Sequence, residues 1–131
     1  KNITINFSSN NSDIVLNSDY EQLSRVFFNL IKNSIESIQE KSNDNINFKG
    51  KIDIVINDYL SYIEFSIIDN GLGFELFVDN IRDILNPYFT TKPKGTGLGL
   101  AIVNKIINDH NGLINFIPIK DGAKIEIKLT K

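Results

Sequence analysis

Apolar and polar residues alternate along several short segments of this chain. Ile3, Ile5 and Phe7 follow the two-residue period of a half-buried strand. Asn57-Asp58 is expected to begin a turn between two such segments. The pattern predicts strands at six places, which are residues 3–7, 13–17, 52–56, 62–69, 113–117 and 124–129.

Two segments have the spacing of amphipathic helices instead. The first starts after Asp19, an N-cap candidate with Gln22 three residues on, and is expected to end near Lys41. The second covers residues 97–110 and stops at Asn111-Gly112, a pair that suits the left-handed conformation. The apolar residues of the first helix recur at helical spacing and are Leu23, Val26, Phe27, Leu30, Ile31 and Ile38.

The order of these elements predicts the fold class. The polar segment 42–50 is expected to form a loop, and a short helix is expected at 79–85, before Pro87. No repeat or linker interrupts the order. The sequence therefore predicts an α/β domain over residues 1–131, a two-layer sandwich of one mixed sheet with helices on one face.

Composition narrows the class of protein further. A chain of 131 residues with 41% hydrophobic content can bury one core. The absence of cysteine excludes disulfides and cysteine-based metal sites, and a net charge of -2 with scattered lysines gives no basic footprint for nucleic acid. No apolar run approaches membrane-spanning length, so a cytoplasmic domain without membrane contact of its own is expected. Because the chain starts at Lys1 and contains no methionine, we expect a fragment of a longer protein.

Polar residues recur on one side of the first helix. At about 100° per residue, Gln22, Asn29, Asn33 and Glu36 share a sector, while the apolar residues face the other way. Carboxamides one turn apart offer neutral oxygen ligands, which suit Mg²⁺ held between protein and triphosphate. Ordinary surface polar residues are the alternative, since the sequence is rich in asparagine.

Two glycine clusters follow. In Asp69-Asn70-Gly71-Leu72-Gly73 an acid ends a strand, and its glycines permit positive φ and close backbone approach. A plain Asp-Asn-Gly turn is the alternative.

The later cluster, Gly95-Thr96-Gly97-Leu98-Gly99, opens a helix whose free N–H groups suit phosphate. It lacks the preceding strand and the glycine spacing of a dinucleotide fingerprint, so that interpretation is rejected.

Together with Asn86-Pro87-Tyr88-Phe89-Thr90-Thr91-Lys92, these motifs resemble the N box, first glycine box, F box and second glycine box of sensor histidine kinases. The resemblance covers about residues 19–112. It implies the catalytic ATP-binding domain of such a kinase, a member of the GHKL superfamily with the Bergerat-type fold. The Thr-Thr-Lys lid and the segment 33–38 look most like the nitrogen-regulation class.

The resemblance also implies roles for individual residues. Asp69 would accept a hydrogen bond from the adenine amino group, and Lys92 would reach the γ-phosphate, with Lys94 as an alternative; both lysines could also be solvated loop charges. Asn33 and Asn29 would approach Mg²⁺. The implied ATP-binding residues are Asn29, Asn33, Asp69, Gly71, Gly73, Thr91, Lys92, Gly95, Thr96, Gly97, Leu98 and Gly99.

Glu36 departs from the pattern, because many other classes carry a basic residue there that reaches the phosphates. It could assist the metal or pair with Lys32, or it could be a plain exposed helix residue. No catalytic residue is assigned within the chain. The single histidine, His110, lacks the acid and asparagine that accompany a phosphoacceptor, and is expected to be an ordinary residue at a helix C-terminus.

ATP-hydrolysing relatives of this fold usually carry a glutamate where Asn29 stands, and an amide cannot act as a base near neutral pH. The resemblance therefore implies a protein-histidine kinase domain. It would donate the γ-phosphoryl group of ATP to a histidine on a separate dimerisation domain, and serve a response regulator indirectly. The alternatives are an ATP-responsive interaction module without chemistry, an ATPase of the same superfamily, and a serine kinase of the anti-sigma type.

Overall fold

The computed structural model describes residues 2–14, 19–43, 45, 47–73 and 99–131. In chain order the elements are β1 (Ile3–Ser9), α1 (Tyr20–Asn43), β2 (Gly50–Asp58), β3 (Tyr62–Asp69), α2 (Gly99–Asp109), β4 (Leu113–Ile119) and β5 (Gly122–Thr130). Within these ranges the strands form one sheet in the order β1-β2-β3-β5-β4. β1 and β2 are parallel, and the other neighbours are antiparallel. The predicted mixed sheet is confirmed.

The two faces of the sheet differ in chemistry. On one face, α1 and α2 cover apolar side chains, and the rings of Phe27 in α1 and Phe65 in β3 lie 5.1 Å apart. The opposite face carries ion pairs, such as Lys124 with Glu126 at 3.7 Å. Helices on one face of the sheet are thus confirmed. The buried apolar residues of the sheet and helices include Val26, Leu30, Ile38, Ile52, Ile63, Ile67, Val103, Ile107, Ile125, Ile127 and Leu129.

Helix α1 begins as predicted and ends two residues later than predicted. The Gln22 N–H donates to Asp19 Oδ1 at 3.1 Å, which makes Asp19 the N-cap. At the other end, the Ser42 hydroxyl donates to the Gln39 carbonyl at 2.9 Å. Carbonyls in the last turn of a helix lack intrahelical partners, so this bond supports the helix beyond Lys41. The expected loop 42–50 is correspondingly shorter.

Helix α2 ends at the predicted stop. Asn111 has φ 56°, the Gly112 N–H donates to the Ile107 carbonyl at 2.9 Å, and the Asn111 N–H donates to the Asn108 carbonyl at 3.0 Å. These bonds are those of a Schellman motif. His110 lies half-buried beside it, with Nδ1 2.8 Å from the Ile106 carbonyl. Since a carbonyl only accepts, Nδ1 carries the proton in this contact.

Two local predictions were wrong. Asp13 and Ile14 lie outside any strand, because the Asp13 N–H donates to Asn11 Oδ1 at 3.0 Å in a local turn that competes with strand pairing. The rest of the predicted strand 13–17, and the predicted helix 79–85, lie outside the described residues. Asn57-Asp58 does not begin the turn either, since β2 pairs through Asp58 and the Tyr59 N–H closes the turn onto the Tyr62 carbonyl at 2.9 Å.

Asp58 joins three parts of the chain at the far end of β2. Lys131 Nζ lies 2.5 Å from Asp58 Oδ1, and Asn11 Nδ2 donates to Oδ2 at 2.8 Å. Asn10 Oδ1 accepts from the Asp58 N–H at 2.7 Å. The hydrogen bond from Lys131, followed by that from Asn11, lowers the pKa of Asp58 below its ordinary value of 3.8. The ionised carboxylate is therefore favoured by folding.

We expect Asp58→Asn to lower the free energy of unfolding at neutral pH. Because the pKa is lower in the folded than in the unfolded state, the ionised group stabilises the fold above about pH 4, and this contribution is lost as the pH falls through the folded-state pKa. Urea unfolding of both proteins should show a difference that shrinks in acid. Asp109→Asn, in an exposed pair with Lys105, is the control and should change little. A difference that is constant from about pH 7 to about pH 3 would contradict this account.

Candidate functional site

A buried carboxylate marks the end of β3. Asp69 is 6% exposed and Ser34 is 3% exposed. The Ser34 hydroxyl donates to Asp69 Oδ2 at 2.8 Å, and the Gly71 N–H donates to Asp69 Oδ1 at 2.9 Å. One donor comes from α1 and the other from the loop after β3. The orientation of the carboxylate is therefore fixed from two sides.

The position of Asp69 follows from the strand period. Ile63, Phe65 and Ile67 are buried on the helix-covered face, and Asp69 comes next at the same two-residue spacing. A buried carboxylate is costly unless donors surround it. The bonds from Ser34 and Gly71 supply such donors, and an ionised carboxylate has about four acceptor sites in all.

Asn70 fastens the loop to β2. Its Oδ1 accepts from the Lys51 N–H at 2.7 Å, its Nδ2 donates to the Lys49 carbonyl at 3.0 Å, and its N–H donates to the Lys51 carbonyl at 3.2 Å. The Asn70 side chain thus makes hydrogen bonds to the backbone of this neighbouring segment, as the backbone of a paired strand residue would. It prolongs the pairing of β2 with β3 beyond Asp69, which holds the start of the glycine loop in place.

Both glycines of the loop are required by their surroundings. Gly73 has φ +83°, and a Cβ there would lie 2.7 Å from the Gly122 carbonyl oxygen. A Cβ on Gly71 would collide with Ser37 Oγ, the atom that accepts from the Leu72 N–H at 2.8 Å. The loop therefore lies between α1 on one side and the start of β5 on the other.

Sequence reasoning missed several residues that shape this loop, among them Ser34, Ser37 and Gly122. Ser34 could have been found as a polar residue on the apolar face of α1, since a buried hydroxyl needs a partner. The Asp121-Gly122 pair is a turn signal, and Asp121 has φ 60°. A Cβ on Gly122 would collide with the Asp69 carbonyl oxygen. Nothing in the spacing alone points to Ser37.

Asn29 and Asn33 are half-buried on α1, one turn apart, and Glu36 is half-buried on the next turn. Ser37, one turn after Asn33 on the same side of α1, accepts from the Leu72 N–H at 2.8 Å. The structure therefore brings the Asn33 side of α1 close to the loop that carries Asp69, Gly71 and Gly73. Gly99 is the first residue of α2. The remaining predicted site residues lie outside the described residues and are Thr91, Lys92, Gly95, Thr96, Gly97 and Leu98.

The described ranges, which are residues 2–14, 19–43, 45, 47–73 and 99–131, lack two features. No helix in these ranges has the length and apolar character needed to cross a membrane. Nor do three or more histidine, cysteine, aspartate or glutamate side chains in these ranges come together as a potential metal site.

Comparison with known proteins identifies the family. The family described as histidine kinase-, DNA gyrase B-, and HSP90-like ATPases matches residues 18–131. An NtrY-like sensor histidine kinase of Rickettsia prowazekii (strain Madrid E) is 34% identical over 128 residues, 97% of this chain and 20% of that protein. The nitrogen regulation protein NtrY of Azorhizobium caulinodans is 38% identical over 112 residues, 86% of this chain and 14% of that protein. The nucleotide-free catalytic domain of the histidine kinase ThkA has a TM-score of 0.82 at 31% identity, covering 99% of this chain and 80% of that chain.

This chain belongs to the family of histidine kinase-, DNA gyrase B-, and HSP90-like ATPases. Its Rickettsia relative is named as a sensor histidine kinase, and ThkA is named as a histidine kinase. The resemblance inferred from the four motifs is confirmed, including the likeness to the nitrogen-regulation class. The chain spans 20% of the length of the Rickettsia relative. What the whole protein does is therefore a matter for proposal.

The bond between Ser34 and Asp69 gives a stability prediction. Ser34→Ala removes a donor from a buried carboxylate and is expected to cost about 1–3 kcal/mol of unfolding free energy. Ser24→Ala, at an exposed position of the same helix, is the matched control and should change stability by about 0.5 kcal/mol or less. Urea unfolding of the three proteins measures both effects. Equal effects of the two substitutions would show that the buried bond does not stabilise the site.

Proposed function

We propose that this domain binds Mg²⁺-ATP and presents the γ-phosphate to a histidine on a dimerisation domain outside this chain. The observation that carries the proposal is the buried Asp69 carboxylate, oriented by Ser34 and Gly71 beside the asparagine side of α1. Membership of the ATPase family and likeness to sensor kinases support it. Cytoplasmic location and an indirect response-regulator partner belong to the same proposal.

Asp69 would select the base. Its ionised carboxylate only accepts hydrogen bonds, so it suits the exocyclic amino group of adenine. A base with a carbonyl oxygen at that place would set two acceptors against each other in a buried setting, which is unfavourable. The bonds from Ser34 and Gly71 hold the acceptor in place before the nucleotide arrives, which lowers the cost of ordering it on binding.

Asn29 and Asn33 would face the phosphates and the metal. Their amide oxygens fit Mg²⁺, which usually takes one or two protein ligands together with phosphate oxygens and water. When bound, the metal neutralises phosphate charge. On the basis of the motifs alone, we propose that the phosphates are also contacted by Gly99 at the start of α2 and by Thr91, Lys92, Gly95, Thr96, Gly97 and Leu98.

Asn29 also bears on the type of reaction. A side-chain amide does not take a proton from water near neutral pH, so no general base is available at this position. A site of this kind holds ATP without promoting its hydrolysis. It therefore suits transfer to a nucleophile that another domain supplies, and we prefer phosphotransfer to the ATPase alternative.

Nucleotide binding is the first test. Titration calorimetry with a non-hydrolysable ATP analogue should show Mg²⁺-dependent binding of micromolar to sub-millimolar order, or about -4 to -8 kcal/mol. Asp69→Asn should weaken ATP and ADP alike, because an amide can present a donor to the adenine amino group. Lys92→Ala should weaken ATP more than ADP.

Asp53→Asn is the matched control for Asp69→Asn. Asp53 lies on the outer face of the sheet, in an ion pair with Lys51 at 3.6 Å, and its substitution should leave binding unchanged. Absence of heat and of any thermal shift at millimolar nucleotide would refute the proposal. If Lys92→Ala, like Asp69→Asn, lowered the affinities for ATP and ADP by the same factor, the separate roles for base and phosphate would be refuted.

Phosphotransfer is the second test. With labelled ATP, the chain alone should show neither stable self-phosphorylation nor appreciable hydrolysis. A dimerisation domain of the parent protein added in trans should become labelled on histidine, slowly, because tethering normally supplies the effective concentration. Asn33→Ala should abolish labelling through loss of a metal contact, and His110→Ala should leave it unchanged.

Two results would overturn this mechanism. Acid-labile phosphate on His110 would indicate self-phosphorylation, and rapid ATP turnover by the chain alone would indicate an ATPase. ATP binding without labelling of the added domain would favour the interaction module that responds to ATP without chemistry.

A further inference from the structure

Lys41 reaches from the last turn of α1 to the glycine loop. Its Nζ donates to the Asn70 carbonyl at 3.0 Å and to the Gly71 carbonyl at 3.3 Å. Hydrogen bonds from an ammonium are stronger than those between neutral groups. A single side chain therefore holds two consecutive peptide units next to Asp69.

The ammonium of Lys41 also contacts an aromatic ring. It lies 4.9 Å from the centre of the Phe48 ring, within the range of a cation–π contact. Phe48 is half-buried, and its N–H donates to the Asn45 carbonyl at 3.0 Å. Lys41 is half-buried as well, so its position between the ring and the loop carbonyls is more restricted than that of an exposed lysine.

The two carbonyls share their peptide planes with the two N–H groups that organise the site. The Asn70 carbonyl and the Gly71 N–H belong to one peptide unit, and that N–H donates to Asp69 Oδ1. The Gly71 carbonyl and the Leu72 N–H belong to the next unit, and that N–H donates to Ser37 Oγ. Because a trans peptide is planar, fixing the direction of its carbonyl fixes the direction of its N–H.

We propose that Lys41 is a positioning residue of the nucleotide site, which acts through these two peptide units to hold the Asp69 carboxylate and the glycine loop in the geometry that receives the base. The ammonium also polarises both peptides, which strengthens their N–H donors. Lys41 would not contact the nucleotide. This inference rests on the proposed nucleotide binding and concerns the base end of that site.

The first experiment needs no nucleotide. Hydrogen exchange of the free 131-residue chain, followed by NMR, should show the Gly71 and Leu72 amides exchanging about tenfold faster in Lys41→Met than in the wild type. The Ile67 amide, in the middle of β3, serves as an internal reference and should keep its rate. Lys41→Arg retains a cationic donor and should restore most of the protection.

Lys105→Met is the matched control. Lys105 is an exposed lysine of α2, paired with Asp109 at 3.3 Å, so its substitution changes net charge equally without touching the loop. It should leave loop exchange unchanged. Unchanged exchange at Gly71 and Leu72 in Lys41→Met would overturn the proposal, and so would equal acceleration at Ile67, since that result means general destabilisation.

The second experiment measures nucleotide affinity by calorimetry. Lys41→Met should weaken ATP, ADP and adenosine by a similar factor, about tenfold, because the base end is disturbed and the phosphate end is not. Loss of affinity that grows with phosphate number and fades with salt would mean that Lys41 attracts phosphate directly, and the positioning role would be wrong. If the wild type bound no nucleotide, the proposed function would fail, whereas the exchange experiment would still decide whether Lys41 orders the loop.

Discussion

The site depends on one buried hydrogen bond, which joins Ser34 in the middle of α1 to Asp69 at the end of β3. A carboxylate at this depth is tolerated only with donors around it, so α1 must lie over the strand end with Ser34 facing inward. The rotation of α1 about its own axis that turns Ser34 inward also sets where the neighbouring side chains point. Asn33 and, one turn earlier, Asn29 are carried to the side of the helix next to the glycine loop.

Residues 70–73, the described part of the loop after β3, have no regular secondary structure, yet their backbone is extensively hydrogen-bonded. The N–H groups of Asn70, Gly71 and Leu72 donate to the Lys51 carbonyl, Asp69 and Ser37 respectively. The carbonyls of Asn70 and Gly71 accept from a lysine of α1. A loop bonded in this way is ordered before any ligand arrives, which reduces the entropy lost on binding.

Family membership and reaction type rest on different parts of the molecule. The chain matches a family named for histidine kinases, DNA gyrase B and HSP90, so family membership does not by itself specify the chemistry. The proposed preference for phosphotransfer rests on a side chain that cannot act as a base, at Asn29, and on the setting of His110. The ring of His110 donates from Nδ1 to the carbonyl of Ile106 and accepts at Nε2 from the Asp19 N–H at 3.4 Å, so both ring nitrogens contact backbone groups.

The sequence by itself determined the seven helices and strands of the described residues, the mixed α/β class and the family. It could do so because strand and helix periods, the caps at Asp19 and Asn111, and contiguous motifs are local signals. It misplaced the turn at Asn57-Asp58, where pairing with Ile63 and a hydrogen bond from the Asp58 N–H to the distant Asn10 extend the strand. Only the tertiary structure decided how the site is held together. Ser34 meets Asp69 across 35 residues, and Lys41 meets Asn70 across 29, in pairings that depend on how α1 packs on the sheet. Periodicity tells which face of an element is buried, but it carries no information about which remote group lies opposite a given side chain.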